Sequence, residues 1–308
     1  MIQKPTVFIH TNDKQVIGAY VGMYSMKQAS RDPDAFAVKL LRLEDTPHLM
    51  KRQGQRYLRK GKNAVWLNED LQSFSPLRRM VPQLMGFKGR ALVTDPDVFA
   101  VGDILDLLNA DMGGKAILCR HVRDGYKGNG HTFYASSVML LDCEKLKHWR
   151  WDEEIDQMFA GKLDYGPWIG LTNEDPTTIG EIGEEWNSFD RLVPETRLLH
   201  TTERLTQPWK TGLAIDFNLT TKTSQVQDDG FFARLRRNLG LSRADAARDN
   251  VERYQPHPDQ AQEELFFKLL KGTLDSGYLD IQLLKQRIQA KDVRQDALQL
   301  IDAMAAKA

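Results

Sequence analysis

Between Thr6 and Phe217, short β-rich runs alternate with stretches of helical periodicity, and beyond Phe217 no convincing strand pattern occurs. The β-rich runs cover residues 6–10 (TVFIH), 36–43, 64–67, 91–94 (ALVT), 115–119 and 137–141. Strands separated by helix-length segments favour a mainly parallel sheet covered on both faces, because parallel neighbours need a long crossover between them. Ligands of such sheets bind beyond the carboxyl ends of the strands. The chain's 308 residues suffice for one α/β domain of enzyme size and a smaller unit. We therefore expect an α/β domain over residues 1–221 and an all-α appendage over 222–308, separated by the polar, turn-prone NLTTKTSQVQDDG. Within the appendage, helical spacing predicts helices over 231–239, 243–254, 258–274, 281–289 and 292–305.

Charge narrows the partners. Lysine plus arginine and aspartate plus glutamate both number 42, so no global field draws the chain to nucleic acid, and none is expected as a partner. Cys119 and Cys143 lie in apolar runs and read as buried, reduced thiols, which fit a reducing compartment. The first apolar run is too short for a signal peptide, and no stretch approaches the roughly 20 apolar residues of a membrane span. The expectation is a soluble, cytoplasmic protein. In the appendage, Phe231, Phe232, Leu235 and Leu239 share a helical face beside Arg234, Arg236 and Arg237. That face suits peripheral contact with an anionic membrane, although docking on the α/β domain is the favoured reading. The stripe Leu265, Phe266, Leu269 and Leu270 is expected to pack within the tail or between two subunits of a homo-oligomer.

The chemistry concentrates where the run ALVT ends in Asp95-Pro96-Asp97. Two carboxylates one residue apart at a strand end can offer hard oxygen ligands to one divalent ion, and the intervening proline stiffens the turn. An ion so held can bridge an acidic site to a nucleotide diphosphate. A solvated Asp-Pro-Asp turn is the competing reading. Upstream, Arg78 and Arg79 are rival guanidinium donors for phosphate or sugar oxygens. The turn Thr11-Asn12-Asp13 has the composition of a helix N-cap.

Together, RRMVPQLMGFKGRALVTDPDVFAVGDI (from Arg78), YASSVMLLD (from Tyr134) and LLHTTERLTQPWKTG (from Leu198) resemble family 8 retaining glycosyltransferases, which include glycogenin and lipopolysaccharide galactosyltransferases. With the N-terminal strand and its Thr11-Asn12-Asp13 turn, the resemblance spans nearly all of residues 6–217. It implies a GT-A type nucleotide-diphospho-sugar transferase fold, here with a C-terminal helical extension. It also implies transfer of a sugar from a nucleotide-diphosphate donor, UDP-linked by family precedent, to a saccharide, lipid-linked or protein acceptor. By the same resemblance Asp95, Asp97 and His200 hold Mn²⁺ or Mg²⁺, and Arg78 is directed at the donor. Thr11, Asn12 and Asp13 touch the donor's uracil and ribose. Gly212 lies in the closing signature.

The sequence departs from the family in three places. Ala135 replaces an asparagine, whose contact is either missing or passes to Ser136 and Ser137. Gln207 replaces the lysine before Pro208-Trp209, which leaves Lys210 either as a substitute phosphate cation or as an ordinary surface lysine. The family's Asp-Gln pair has no clean counterpart: Asp156-Gln157 matches by letters but comes too early in the chain, and Asp164 is preferred. The resemblance implies same-face attack with retention, the diphosphate accepting the acceptor's proton, and so no catalytic base is expected. Two other classes stand beside this one. A nucleotidyltransferase of sugar-nucleotide synthesis would need a glycine-rich phosphate loop, which HTNDKQVIGAY lacks. A non-catalytic sugar-nucleotide binder would explain the altered asparagine and lysine positions.

Overall fold

The computed structural model describes residues 4–123, 130–217 and 252–307. The first β-rich run becomes β1 (Thr6–Thr11), buried along its whole length as befits a strand inside a covered sheet. It pairs in parallel with β2 (Ala37–Arg42). The run at 64–67 does not join this sheet; it forms a separate hairpin of β3 (Arg56–Arg59) and β4 (Lys62–Val65), turned at Lys60-Gly61 with positive φ at both residues. On the other side of β1 lies β5 (Arg90–Thr94), again parallel. After the Asp95-Pro96-Asp97 turn comes the three-residue β6 (Val98–Ala100). The sheet is extended by β7 (Ile117–Val122), β8 (Phe133–Asp142) and β9 (Ile179–Glu181), in the order β2-β1-β5-β8-β7-β9.

β8 runs antiparallel to both neighbours, so the sheet is mixed, with three parallel and two antiparallel pairings. Strand direction is a property of the connection and not of the strand's own residues. Side chains alternate between the faces: Val7, Ile9, Leu92 and Leu140 enter one core, and Phe8, Ala91, Val93 and Met139 enter the other. Cys119 and Cys143 lie in the second core as free, fully buried thiols, pushed by burial up to about 12.

A second sheet consists of β10 (Ser188–Phe189), β11 (Leu198–His200) and β6, with β11 in the middle. Strands of two or three residues carry no readable period, and the sequence gives no sign of this sheet. Its register pairs His200 with Val98, so that the histidine arrives beside the Asp95-Pro96-Asp97 turn.

Helix α1 (Val16–Gln28) runs beneath that turn. Its N-cap is Gln15, which makes no side-chain cap, so the N-cap reading of Thr11-Asn12-Asp13 is corrected. The Asn12 carbonyl instead accepts from Gln15 N, and Thr11 Oγ1 donates to the same carbonyl. Close approach requires glycine at position 18, where a Cβ would lie 2.6 Å from the Pro96 carbonyl oxygen. Farther along, α2 (Trp151–Phe159) and α3 (Tyr165–Ile169) cover the side of the molecule near the hairpin.

The appendage supplies α4 (Gln260–Asp275), α5 (Ile281–Gln289) and α6 (Ala297–Lys307), close to three of the expected helices. The expected helix at 231–239 lies outside the described residues, with its arginine-flanked face, as does most of 243–254. Glu252, Arg253 and Tyr254 are not helical: Arg253 forms an antiparallel bridge with Ala214, and Tyr254 exchanges backbone hydrogen bonds with Gly212 and Leu213. Residue 221 also falls outside the described residues. Phe266, Phe267, Leu269 and Leu270 of α4 share one core with α5 and α6 and with Val16, Ile17, Val21, Phe99 and Trp209. The Phe266 ring stacks on Trp209 with centroids 4.8 Å apart. The stripe therefore packs on the α/β part as well as within the tail. No helix among the described residues is long and apolar enough to cross a membrane.

Candidate metal centre

Asp95 and Asp97 follow the C-terminal end of β5, and the β6–β11 pairing adds His200. One ligand atom from each of the three lies within 4.8 Å of the others. His200 is almost fully buried, with Nδ1 2.9 Å from Asn187 Oδ1 and Nε2 3.2 Å from Asp97 Oδ1. Because Asn187 Oδ1 only accepts, Nδ1 carries a proton and the Nε2 lone pair faces the carboxylates. Burial opposes a charge on His200, but Asp97 overcomes it and raises the imidazole above its ordinary value. A divalent cation would satisfy the carboxylates in place of that proton.

Burial alone would raise Asp95, yet Arg78 and His10 outweigh it and hold the carboxyl at about 2. Arg78 Nη2 is 2.8 Å from Asp95 Oδ1, and His10 Nε2 is 2.7 Å from the same oxygen. Arg78 Nη1 donates to Ser136 Oγ at 2.6 Å, and that hydroxyl donates to the Ile169 carbonyl. Asp97 Oδ2 accepts from Gln207 Nε2 at 3.2 Å, whereas its buried Oδ1 meets, among the described residues, the His200 ring nitrogen and no other hydrogen-bond partner. A buried carboxylate oxygen whose neighbour is an imidazole nitrogen fits a metal ligand set.

Two cavities open on this cluster. One, of about 420 Å³, is lined by Arg59, Arg78, Asp95, Tyr134, Tyr165 and His200 among others. Ala135, Ser136 and Ser137 form part of its wall, and Asp95 is its one carboxylate among the described residues. The other, of about 150 Å³, contains Asp95, Asp97, His200, Gln15 and Gln207. A cavity of about 580 Å³ lies at Leu205, His257 and Pro258; among the described residues its lining holds no lysine or arginine and none of the three candidate ligands.

The structure brings Arg78, Asp95, Asp97, Ser136, Ser137 and His200 together. Ser137 faces the cluster indirectly, its Oγ accepting from Asn187 Nδ2. Asn12 and Asp13 line a separate cavity of about 340 Å³, and Thr11 is buried beside them. The remaining candidates are elsewhere. Lys210 is buried against Asp216 (3.1 Å), and burial lowers its ammonium below the ordinary lysine value. Gly212, at φ +82°, serves the backbone pairing with Tyr254. Asp164 caps α3, its carboxylate accepting from the backbone N–H groups of Lys60, Gly61 and Gly166. None of these three lines either cavity at the cluster. Arg79 is diverted to Glu154 and Glu174, which separates it from its neighbour Arg78.

Sequence reasoning missed His10, Asn187 and Gln207 as partners of the ligands. His10 could have been noticed as a histidine at the end of a buried run. Asn187 carries no local signal, because it reaches His200 only through the small second sheet.

No protein-family model matches the sequence, and the curated proteins gave no match. Solved structures do show similarity. The glycosyltransferase GlyE of Streptococcus pneumoniae TIGR4 aligns with 15% identity over 68% of this chain, at a TM-score of 0.47. This chain spans only 56% of GlyE's length. The galactosyltransferase LgtC, solved with donor and acceptor sugar analogues, aligns with 15% identity over 67% of this chain and 89% of its own, at a TM-score of 0.43. Mouse xyloside xylosyltransferase 1 aligns with 12% identity over 64% of this chain and 97% of its own, at a TM-score of 0.40.

Proposed function

We propose that this chain is a divalent-metal-dependent glycosyltransferase of GT-A type that takes its sugar from a nucleotide-diphosphate donor. The observation that carries the reading is the cluster of Asp95, Asp97 and His200 at the mouth of a sugar-sized cavity, with the Arg78 guanidinium bonded to one of the carboxylates. Bare carboxylates repel a diphosphate, so a donor of this kind requires a cation between them. Mn²⁺ or Mg²⁺ held by the three residues would neutralise the diphosphate and stabilise it as a leaving group. Arg78, already desolvated, adds fixed positive charge beside the departing oxygen. Asn187 holds His200 in the tautomer that presents Nε2.

Apart from Asp95 and His200, the cavity of about 420 Å³ offers no carboxylate or imidazole among the described residues. That favours attack on the face of the departing diphosphate, with retention. The anomeric carbon's bond to the diphosphate breaks, the acceptor oxygen bonds to that carbon, and its proton passes to the diphosphate. Positioning and electrostatics then supply the rate. The donor is read as a UDP-hexose and the family as family 8. Two free, buried thiols agree with a cytoplasmic setting. Ala135 on the cavity wall and Asp164 held by three backbone donors favour a second reading, a non-catalytic sugar-nucleotide binder.

The test is incubation with a panel of nucleotide sugars with Mn²⁺ and with chelator. Metal-dependent release of free nucleotide diphosphate is expected, lost in Asp97→Ala and His200→Ala and kept in His148→Ala. Binding without release supports the second reading. Nucleotide binding of equal strength in chelator removes the metal from the proposal.

A further inference from the structure

The cavity beside Asn12 and Asp13 is walled in part by the appendage. Its lining includes Asn12, Asp13, Glu44, Glu69, Ala290 and Asp292, the last two from the turn that follows α5. The appendage is anchored there by an ion pair, Arg287 Nη1 to Asp13 Oδ2 at 3.1 Å, and Arg287 also reaches Asp292 at 3.4 Å. A second anchor lies at the metal end. Arg294 N donates to the Trp209 carbonyl at 2.8 Å, and Arg294 Nη1 to the Pro208 carbonyl at 3.3 Å. The adjoining Gln207 donates to Asp97. Segments 12–15 and 68–74 contribute to both this cavity and the smaller one at the metal cluster, so the two adjoin along the same pieces of chain.

The chemistry of the two ends differs. Among the described residues, four carboxylates and one cation, Lys14, line the cavity walled by the appendage. Such a lining disfavours phosphate and favours neutral groups that donate hydrogen bonds, such as ribose hydroxyls and base N–H groups. Asn12 is 2% exposed, lines this cavity, and has an Oδ1 without a partner among the described residues, so one further acceptor is unspent. With the diphosphate drawn to the metal end, the nucleoside is the part of the donor this lining suits.

Resting on the donor reading above, we infer that the helical appendage completes the nucleoside half of the donor site, with Ala290 and Asp292 as determinants of nucleoside binding. Docking of the appendage and binding of the nucleotide are then linked, each stabilising the other.

The experiment is calorimetric titration of the full chain, with Mn²⁺ present, using UDP, GDP, CDP and ADP as nucleotide probes and inorganic pyrophosphate as the phosphate-only probe. Ala290 is exposed and helical in backbone, so Ala290→Trp should fold while intruding on the cavity. Asp292→Asn keeps the shape and removes the charge. Thermal melting verifies both. Ala290→Trp is expected to weaken the preferred nucleotide by about tenfold or more and Asp292→Asn by about threefold, with pyrophosphate affinity unchanged. Unaltered nucleotide affinity in both folded variants overturns the inference and leaves the donor reading intact. Equal loss of nucleotide and pyrophosphate overturns it too, since the effect would not be on the nucleoside. An unaltered protein that binds none of the four nucleotides overturns the donor reading, and this inference with it.

Discussion

Adjacent arginines show how one residue of offset decides between chemistry and scaffold. Arg78 and Arg79 are both buried, yet the first reaches Asp95 and Ser136 while the second is clamped by Glu154 and Glu174 and lies over the Trp149 ring. Glu174 also accepts from Trp149 Nε1 and pairs with His148. Burial would raise the Glu174 carboxyl, but Arg79 and His148 overcome it and hold it below the ordinary glutamate value. Its contribution to stability is therefore complete above the unfolded value of about 4.5 and is lost as pH falls through the lower folded value. Glu174→Gln should lower stability by about 1–3 kcal/mol at neutral pH and flatten the acid limb of the melting-temperature profile. An unchanged acid limb would assign that limb to other carboxylates. Asn187 is a positioning residue of the proposed metal centre, since it fixes the His200 tautomer without offering a ligand itself. Asn187→Ala is expected to weaken Mn²⁺ about 10–100-fold, with most of the folded stability retained. Mn²⁺ titration followed by electron paramagnetic resonance measures it; an unaltered affinity would mean that the β6–β11 pairing alone orients the ring.

At the scale of elements, the site depends on how closely α1 approaches the Asp95-Pro96-Asp97 turn. Gly18 and Gly22 lie under the Pro96 and Val98 carbonyls, where a Cβ would come within 2.6 and 2.9 Å. Helix propensity by itself makes Gly18→Ala stabilising by about 1 kcal/mol. The contact is with backbone oxygen, which cannot swing away, so the prediction is the opposite sign: destabilisation by about 1–3 kcal/mol and weaker metal binding. Denaturant unfolding of Gly18→Ala decides it, and a gain in stability would show that the turn can yield. The small sheet matters for the same reason. Its strands have only two or three residues each, yet it sets the positions of His200, Asp97 and, through β10, Asn187.

For the whole molecule, the appendage and the α/β part share a core. Phe266, Phe267, Leu269 and Leu270 cover Val16, Val21, Phe99 and Trp209, and burying each such side chain is worth about 1.5–3 kcal/mol. The boundary proposed at residues 221 and 222 lies outside the described residues, and truncation there tests it. A chain ending at residue 221 is expected to be aggregation-prone or to bind a hydrophobic dye, because α1 and Trp209 lose their cover. A soluble 1–221 product with a sharp melt would show that the appendage only docks on a finished domain. In the first case the nucleotide should also raise the melting temperature of the full chain by gripping both parts at once.

The sequence by itself determined what depends on neighbours along the chain. The strands around residues 6–11, 90–94 and 133–142 follow from β-rich apolar runs and the three described helices of the tail from helical spacing, and the carboxylate pair follows from its place after a buried strand. Burial of both cysteines was likewise legible from the apolar runs around them. Tertiary structure alone decided what depends on residues far apart in sequence. It diverted Lys210 into an ion pair with Asp216 and Asp164 into a helix cap, and it set β8 antiparallel to its neighbours. It also paired β6 with β11 across a hundred residues and laid the tail against α1. Spacing along a chain fixes which face a side chain occupies, but the partner met on that face is set by long-range packing, and it is the partner that determines whether a lysine or an aspartate serves the site or the scaffold.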